Sequence, residues 1–266
     1  MTAGRRPAWA DRVEPVLGRI SGSQPVAGSA WKTAIDGRPV FVKSGPGVAD
    51  EAAGLTSLAA VSGAPPVPAV LMAEGDLLVT AWVDQGPRSQ THLETLGRCL
   101  AALHSVPRTS WGGGSGWIGA CRVDATEAPS GPGFYGRRLM ELAERCQLAG
   151  EVAPVVARLD ELLGADKPVL VHGDLWWGNV LWGTDQQGWL IDPSCHGGHP
   201  EEDLAMLDLF GSLPEALWRS YAEVRPCREG WQLRRPLFSL YPLLVHTVLF
   251  GGSYRSQAVE AARFYR

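Results

Sequence analysis

Apolar positions near the start of the chain recur at helical spacing. Trp9, Val13, Val16, Leu17 and Ile20 share one face and predict an opening amphipathic helix. The following stretch, Ile20 to Trp31, is small and glycine-containing. Two strand-like runs come next, Ala30 to Ile35 and Pro39 to Lys43, joined across Asp36-Gly37. That dipeptide predicts a two-residue hairpin, because both central positions of a type I′ turn need positive φ. Val48 to Val61 is rich in Ala and Leu and reads as a helix with Glu51 near its start. The Pro-rich segment Gly63 to Pro68 stops it. Val70 to Ala73 and Leu77 to Val83 read as two further strands around Glu74-Gly75-Asp76.

After Val83 the pattern changes. Asp84 to Ser89 reads as a crossing, and Gln90 to Val106 as a helix with Leu93, Leu96, Leu100 and Leu103 on one side. Trp111 to Gly133 is rich in Gly and Pro and lacks periodicity. A loop of that length in a compact domain is often functional. Phe134 to Ala149 and Glu151 to Leu163 read as helices, followed by a short β-ribbon. From Glu201 onward the chain is mostly helical, with breaks at Pro214, Pro226 and Gly251-Gly252. This order predicts an α+β chain with a protein-kinase-like two-lobed fold. A small β-rich lobe covers residues 1–84 and a larger, mostly helical lobe covers residues 85–266.

Composition narrows the class. The 266 residues are 45% apolar and 20% charged, a globular balance long enough to bury a substantial core. A net charge of -4 and the absence of a basic run argue against a nucleic-acid partner. No apolar stretch is long enough for a bilayer, so no membrane partner is expected. The N-terminal Arg5-Arg6 precedes no apolar signal core, and a cytoplasmic location is expected. Oligomeric state is left open by the sequence. The five cysteines, Cys99, Cys121, Cys146, Cys195 and Cys227, show no CxxC spacing and read as reduced thiols.

The chemistry concentrates in Val169-Leu-Val-His-Gly-Asp-Leu-Trp-Trp-Gly-Asn-Val-Leu-Trp182 and in Trp189-Leu-Ile-Asp-Pro193. Asp174, Asn179 and Asp192 stand beside short apolar segments, at the spacing phosphoryl transfer needs. One carboxylate receives the proton of an attacking hydroxyl, while an amide oxygen and a second carboxylate hold Mg²⁺ on nucleotide phosphates. Asp174 is the expected catalytic base, with Asn179 and Asp192 as metal ligands. Lys43, at a strand end, is expected to reach the α- and β-phosphates of a nucleotide and to be directed by Glu51. Gly28 closes the stretch Gly22-Ser-Gln-Pro-Val-Ala-Gly28, which stands where a phosphate-covering loop belongs but lacks G-x-G-x-x-G spacing. His172 is expected to bond backbone and shape the base loop, and Asp203 to brace it through a buried hydrogen bond. His196 and His199 flank Gly197-Gly198, but two histidines without a third ligand do not make a metal site.

A family resemblance rests on these residues. His172-Gly-Asp-Leu-Trp176, Gly178-Asn179, Ile191-Asp-Pro193, Gly198-His199, Glu202-Asp-Leu-Ala-Met206 and Leu209-Phe-Gly211 together resemble the fructosamine kinase family. That family lies within the aminoglycoside and choline phosphotransferase group. Weaker echoes, from Phe41-Val-Lys43 and Gly54-Leu55 to His246, Phe250 and Tyr254, extend over nearly the whole chain. The resemblance implies an ATP-dependent kinase with Mg²⁺, acting on a sugar hydroxyl of ketosamines, either small molecules or adducts on protein lysines. It implies an adenine-contacting hinge at Ala81, Trp82 and Val83. Trp177 stands where the family usually has a small serine, and the segment Asp192-Pro-Ser-Cys-His-Gly-Gly-His199 replaces a more usual alanine and a tyrosine. Trp176 and Trp177 are the expected acceptor contacts. The runner-up acceptor is an aminoglycoside, choline-like or other amino-alcohol hydroxyl. A non-catalytic nucleotide-binding scaffold is a third reading, disfavoured by the presence of Lys43, Asp174, Asn179 and Asp192.

Overall fold

The computed structural model describes residues 7–265; the N-terminal Arg5-Arg6 segment lies outside them. The chain opens with α1 (Ala10–Leu17), then runs β1 (Ile20–Ala27), β2 (Ala30–Ile35), β3 (Arg38–Ser44), α2 (Val48–Ala59), β4 (Val70–Glu74) and β5 (Leu77–Ala81). These five strands form one antiparallel sheet in the order β1-β2-β3-β5-β4. The expected hairpin is present: Asp36 and Gly37 have φ of 46° and 79° and join β2 to β3. Alternation along β3 sorts its side chains. Val40 and Val42 are buried against Trp9, Val13, Leu77 and Val79, a small core that α1 covers. Phe41 and Lys43 therefore take the opposite face.

Two readings change here. α1 ends before Gly18, whose φ of 113° stops it, so Ile20 begins β1 instead of extending the helix. The Gly22–Gly28 stretch is largely β1 itself, an edge strand without apolar alternation that β2 defines by pairing. Gly28 falls in the turn that follows, with φ 51°.

The larger region begins with α3 (Gln90–Leu103) and a small ribbon of β6 (Trp117–Ile118) and β7 (Cys121–Arg122). Helices α4 (Gly131–Arg145), α5 (Ala149–Val156) and α6 (Leu159–Leu163) follow, so the second helix expected there is broken after Val156. The short strands β8 (Val169–Val171), β9 (Val180–Trp182), β10 (Gly188–Leu190) and β11 (His196–Gly198) pair as β8 with β11 and β9 with β10. Last come α7 (Pro200–Leu209), α8 (Glu215–Val224), α9 (Trp231–Phe250) and α10 (Ser253–Arg263). The Trp111–Gly133 excursion is anchored, with bridges from Trp111 to Ala128 and from Gly112 to Gly197. Helix α9 runs through Pro236 and Pro242 without a break. Helix α2 joins the two regions: Leu55 and Leu58 belong to the large core, and a Cβ on Gly54 would lie 2.9 Å from Pro193. This is the expected α+β, protein-kinase-like arrangement, a small sheet-rich lobe beside a larger helical one.

Candidate active site

The base loop is built on buried strand β8. Chain direction reverses at His172-Gly173-Asp174, where Gly173 has φ 80° and a Cβ would sit 2.2 Å from the Ser194 carbonyl. No other residue fits that approach. Asp203, on the first turn of α7, faces the loop from below. Its carboxylate accepts the His172 N–H at 2.7 Å and the Gly173 N–H at 2.9 Å, and stands 3.1 Å from His104 Nε2. Burial pushes the Asp203 pKa up, but the bond and charge of His104, the charge of His172 and the His172 N–H outweigh it, leaving the group below its ordinary range. The imidazole of His172 links the two halves of the motif. Its Nδ1 accepts the Asp174 N–H at 3.3 Å, and Nε2–H donates to the Ile191 carbonyl at 3.0 Å. Burial lowers its pKa.

Removing Asp203 tests this brace. Asp203→Ala strands two buried N–H groups and the His104 contact, and is expected to cost about 3–5 kcal/mol in urea unfolding. The pH dependence has a definite sign. A carboxyl whose folded pKa is depressed stabilises above its unfolded pKa, and loses that contribution as pH falls through the lowered folded value. The variant is expected to lose this part of the acid destabilisation.

Asp174 follows, with the Trp177–Asn179 3-10 turn leading into β9. Asn179 donates its amide N–H to the Asp174 carbonyl at 2.8 Å and to Asp174 Oδ2 at 3.2 Å. Both bonds use the amide nitrogen, so the amide oxygen is not spent on Asp174. Burial, then the charge of Asp192, push the Asp174 carboxyl up to about 7, against the pull of Asn179.

Asp192 arrives from the end of β10 with φ 52°, a left-handed conformation that Asp tolerates better than most residues. Its Oδ1 lies 3.0 Å from Lys43 Nζ, and Glu51 Oε2 lies 2.7 Å from the same ammonium. One lysine thus faces two carboxylates contributed by different elements. Burial pulls the Lys43 pKa down, but Asp192 and Glu51 outweigh it and leave it raised. Glu51 is pushed upward by burial and by the Asp192 charge, against the pull of Lys43. Ion-pair geometry and this upward shift look opposed. They agree once Asp192 is counted, because the cluster carries one more negative than positive charge.

An apolar cleft of about 650 Å³ opens beside this cluster. Phe41, Leu55, Ala81, Val83, Leu181 and Ile191 line it, together with Glu51 and Asp192. Ala81, Trp82 and Val83 all border the cleft, and Lys32 Nζ sits 4.0 Å from the Trp82 ring centroid. Phe41, Leu181 and Ile191 were not assigned to the nucleotide cleft from sequence. Their signal was alternation: Phe41 shares the Lys43 face of β3, and Ile191 immediately precedes Asp192.

The two tryptophans part company. Trp176 is 43% exposed and packs edge-on to Phe210, with ring centroids 6.4 Å apart. Trp177 is partly buried and packs against the large core beside Trp182, with centroids 6.0 Å apart, and against Gly211. This corrects the expectation of Trp177 as an acceptor contact: its indole is committed to packing, and its buried Nε1 has no partner. His196 and His199 also separate, the first 2.7 Å from Glu202 and the second 3.0 Å from Asp166. Among the described residues no group of three His, Cys, Asp or Glu is arranged to hold a metal. The five cysteines form no disulfide, and no helix among the described residues is long and apolar enough to cross a membrane.

The sequence pattern of the fructosamine kinase family matches residues 19–263. The chain belongs to the fructosamine kinase family. A Synechocystis protein assigned as a probable ketoamine kinase is 36% identical over 198 residues, covering 69% of this chain and 65% of that protein. The match thus spans just under two thirds of that relative's length. A fructosamine-3-kinase-like crystal structure from Thermobifida fusca superposes with a TM-score of 0.87 and 37% identity, covering 97% of this chain and 98% of the other. A choline kinase from Streptococcus pneumoniae shares the fold alone, with a TM-score of 0.66, 14% identity and 96% of each chain covered. Family membership and the two-lobed fold thus agree with the motif resemblance.

Proposed function

We propose that this member of the fructosamine kinase family transfers the γ-phosphoryl group of Mg·ATP to a sugar hydroxyl of a ketosamine. The observation that carries the reading is that Glu51 and Asp192, which line one apolar cleft, both pair with Lys43, and that the Asp192 charge acts in turn on the Asp174 carboxylate that Asn179 holds. The cleft takes adenine between the Phe41 side of the sheet and Leu181–Ile191, along Ala81–Val83. Lys43, directed by Glu51, contacts phosphate oxygens, and the Gly28 turn covers them from above.

The donors present suit Mg²⁺. Asp192 offers a carboxylate and Asn179 an amide oxygen, both hard ligands, beside a cluster with excess negative charge. Asp192 and Asn179 would hold the ion, which would supply positive charge to offset the charge developing on the transferred phosphoryl group. Asp174 takes the proton from the acceptor hydroxyl. The N–H bonds from Asn179 and the Asp203-anchored loop hold the carboxylate in place. We place the lobe boundary at residues 84/85, where Gln85 bridges to Gly183.

The acceptor class follows from the family and from the assignments of its relatives, and an acceptor panel tests it. ADP release with Mg·ATP is expected with fructosamine or ribulosamine adducts and not with aminoglycosides or choline. Turnover of an aminoglycoside with none of a ketosamine would reject the assignment. Binding of Mg·ATP with no transfer to any acceptor would favour a scaffold.

A further inference from the structure

A row of aromatic rings leads away from the base loop. It starts at Trp176, whose backbone N–H donates to the Asp174 carbonyl at 3.2 Å. Phe210, at the end of α7, lies 4.8 Å from His246 of α9, centroid to centroid. His246 in turn lies 5.6 Å from Phe250 and 4.9 Å from Tyr254. The Gly251-Gly252 turn folds α10 back so that Tyr254 reaches the same imidazole. Phe250 is 67% exposed, so the outer end of the row is open to solvent.

The imidazole at the centre has a defined chemistry. His246 Nδ1–H donates to the Pro242 carbonyl at 2.8 Å, so Nε2 carries the lone pair. Burial lowers the His246 pKa, and the ring is neutral at neutral pH. Asp208, also near the end of α7, is already paired with Arg235 at 2.7 Å. The row therefore presents π faces and one neutral acceptor. That combination complements an ammonium: ring faces attract the cation, and Nε2 accepts its N–H. The row is also longer than one sugar ring, so a hexose held at Asp174 and Trp176 leaves its outer part uncovered.

We propose that Phe210, His246, Phe250 and Tyr254 form a subsite for the amine-bearing half of the acceptor, selecting ketosamines whose nitrogen carries an aromatic or extended apolar group. This rests on the ketosamine reading above and deepens it. The sugar half sits at Asp174 and Trp176, and the nitrogen passes over His246, with its substituent against Phe250 and Tyr254.

The test compares the fructose adducts of benzylamine and methylamine in the wild type, Phe250→Ala and Phe250→Tyr. Wild type is expected to favour the benzylamine adduct by about tenfold in kcat/KM, equivalent to ~1.4 kcal/mol. Phe250→Ala is expected to bring the ratio to about twofold, and Phe250→Tyr to restore it. A wild-type ratio near one, or a ratio unchanged in Phe250→Ala, overturns the proposal. If neither adduct is phosphorylated, the ketosamine reading fails. The row is then judged by benzylamine titration alone: weaker binding to Phe250→Ala sustains it, and equal binding overturns it. Sedimentation covers the remaining occupant. If Phe250→Ala dissociates an oligomer and the ratio stays put, the row is a contact between copies and the proposal falls.

Discussion

Asp174→Asn is expected to lower kcat by about 10²–10⁴-fold, the range for loss of a positioned general base. Mg·ATP affinity is expected to hold within a few-fold. The two expectations come from different atoms. Asp174 shares the Asn179 amide through Oδ2 and its own carbonyl, and the carbonyl bond survives the substitution. The loop is held by Asp203 through backbone N–H groups of His172 and Gly173, which the substitution does not touch. What goes is the group that takes the hydroxyl proton. One negative charge beside Asp192 also disappears, which favours phosphate binding if it changes anything. Single-turnover kinetics with equilibrium nucleotide binding separates the two effects. Loss of ATP affinity with kcat intact would remove Asp174 from the base role.

The second large effect belongs to Asp192. Asp192→Asn is expected to lower the Mg²⁺-dependent part of ATP affinity by about 10²-fold or more, since even an indirect partner of a metal site is worth about 10–100-fold. Asn is the cleaner variant because the position has φ 52°. Asn tolerates that region about as well as Asp, whereas Ala adds backbone strain of about 1–2 kcal/mol. The Lys43–Glu51 pair at 2.7 Å remains, so nucleotide binding without the metal is expected to change little. Relief is expected elsewhere. The Asp192 charge raises both Glu51 and Asp174, so removing it is expected to let both carboxyls titrate lower. ATP binding followed across a Mg²⁺ titration gives the answer. An unaltered Mg²⁺ dependence would take Asp192 out of the metal site.

Most of the architecture was legible because its signals are local. The Asp36-Gly37 turn, the alternation around Lys43 and the leucine spacing of α3 each determine an element by short-range stereochemistry. The readings that changed depended on which partner a segment meets, whether near or far in sequence. The Gly22–Ala27 stretch carries no apolar alternation and becomes a strand because β2 pairs with it. Trp177 lies within the base motif, yet its indole is claimed by Trp182 and Gly211. A side chain's direction within a turn is set by what packs on it, which spacing alone does not encode. His104 illustrates the same limit. Its contacts to Asp203 and Tyr221 span 99 and 117 residues, and in the sequence it only ends a leucine-rich helix.

The most direct measurement is mass spectrometry with phosphorus NMR of a ketosamine incubated with Mg·ATP and the wild-type protein or Asp174→Asn. The account predicts one phosphate on a sugar hydroxyl of the adduct with wild type, and at most a trace with the variant over the same time. Phosphate released to water, phosphate on the amine nitrogen, or equal yields from both proteins would contradict it.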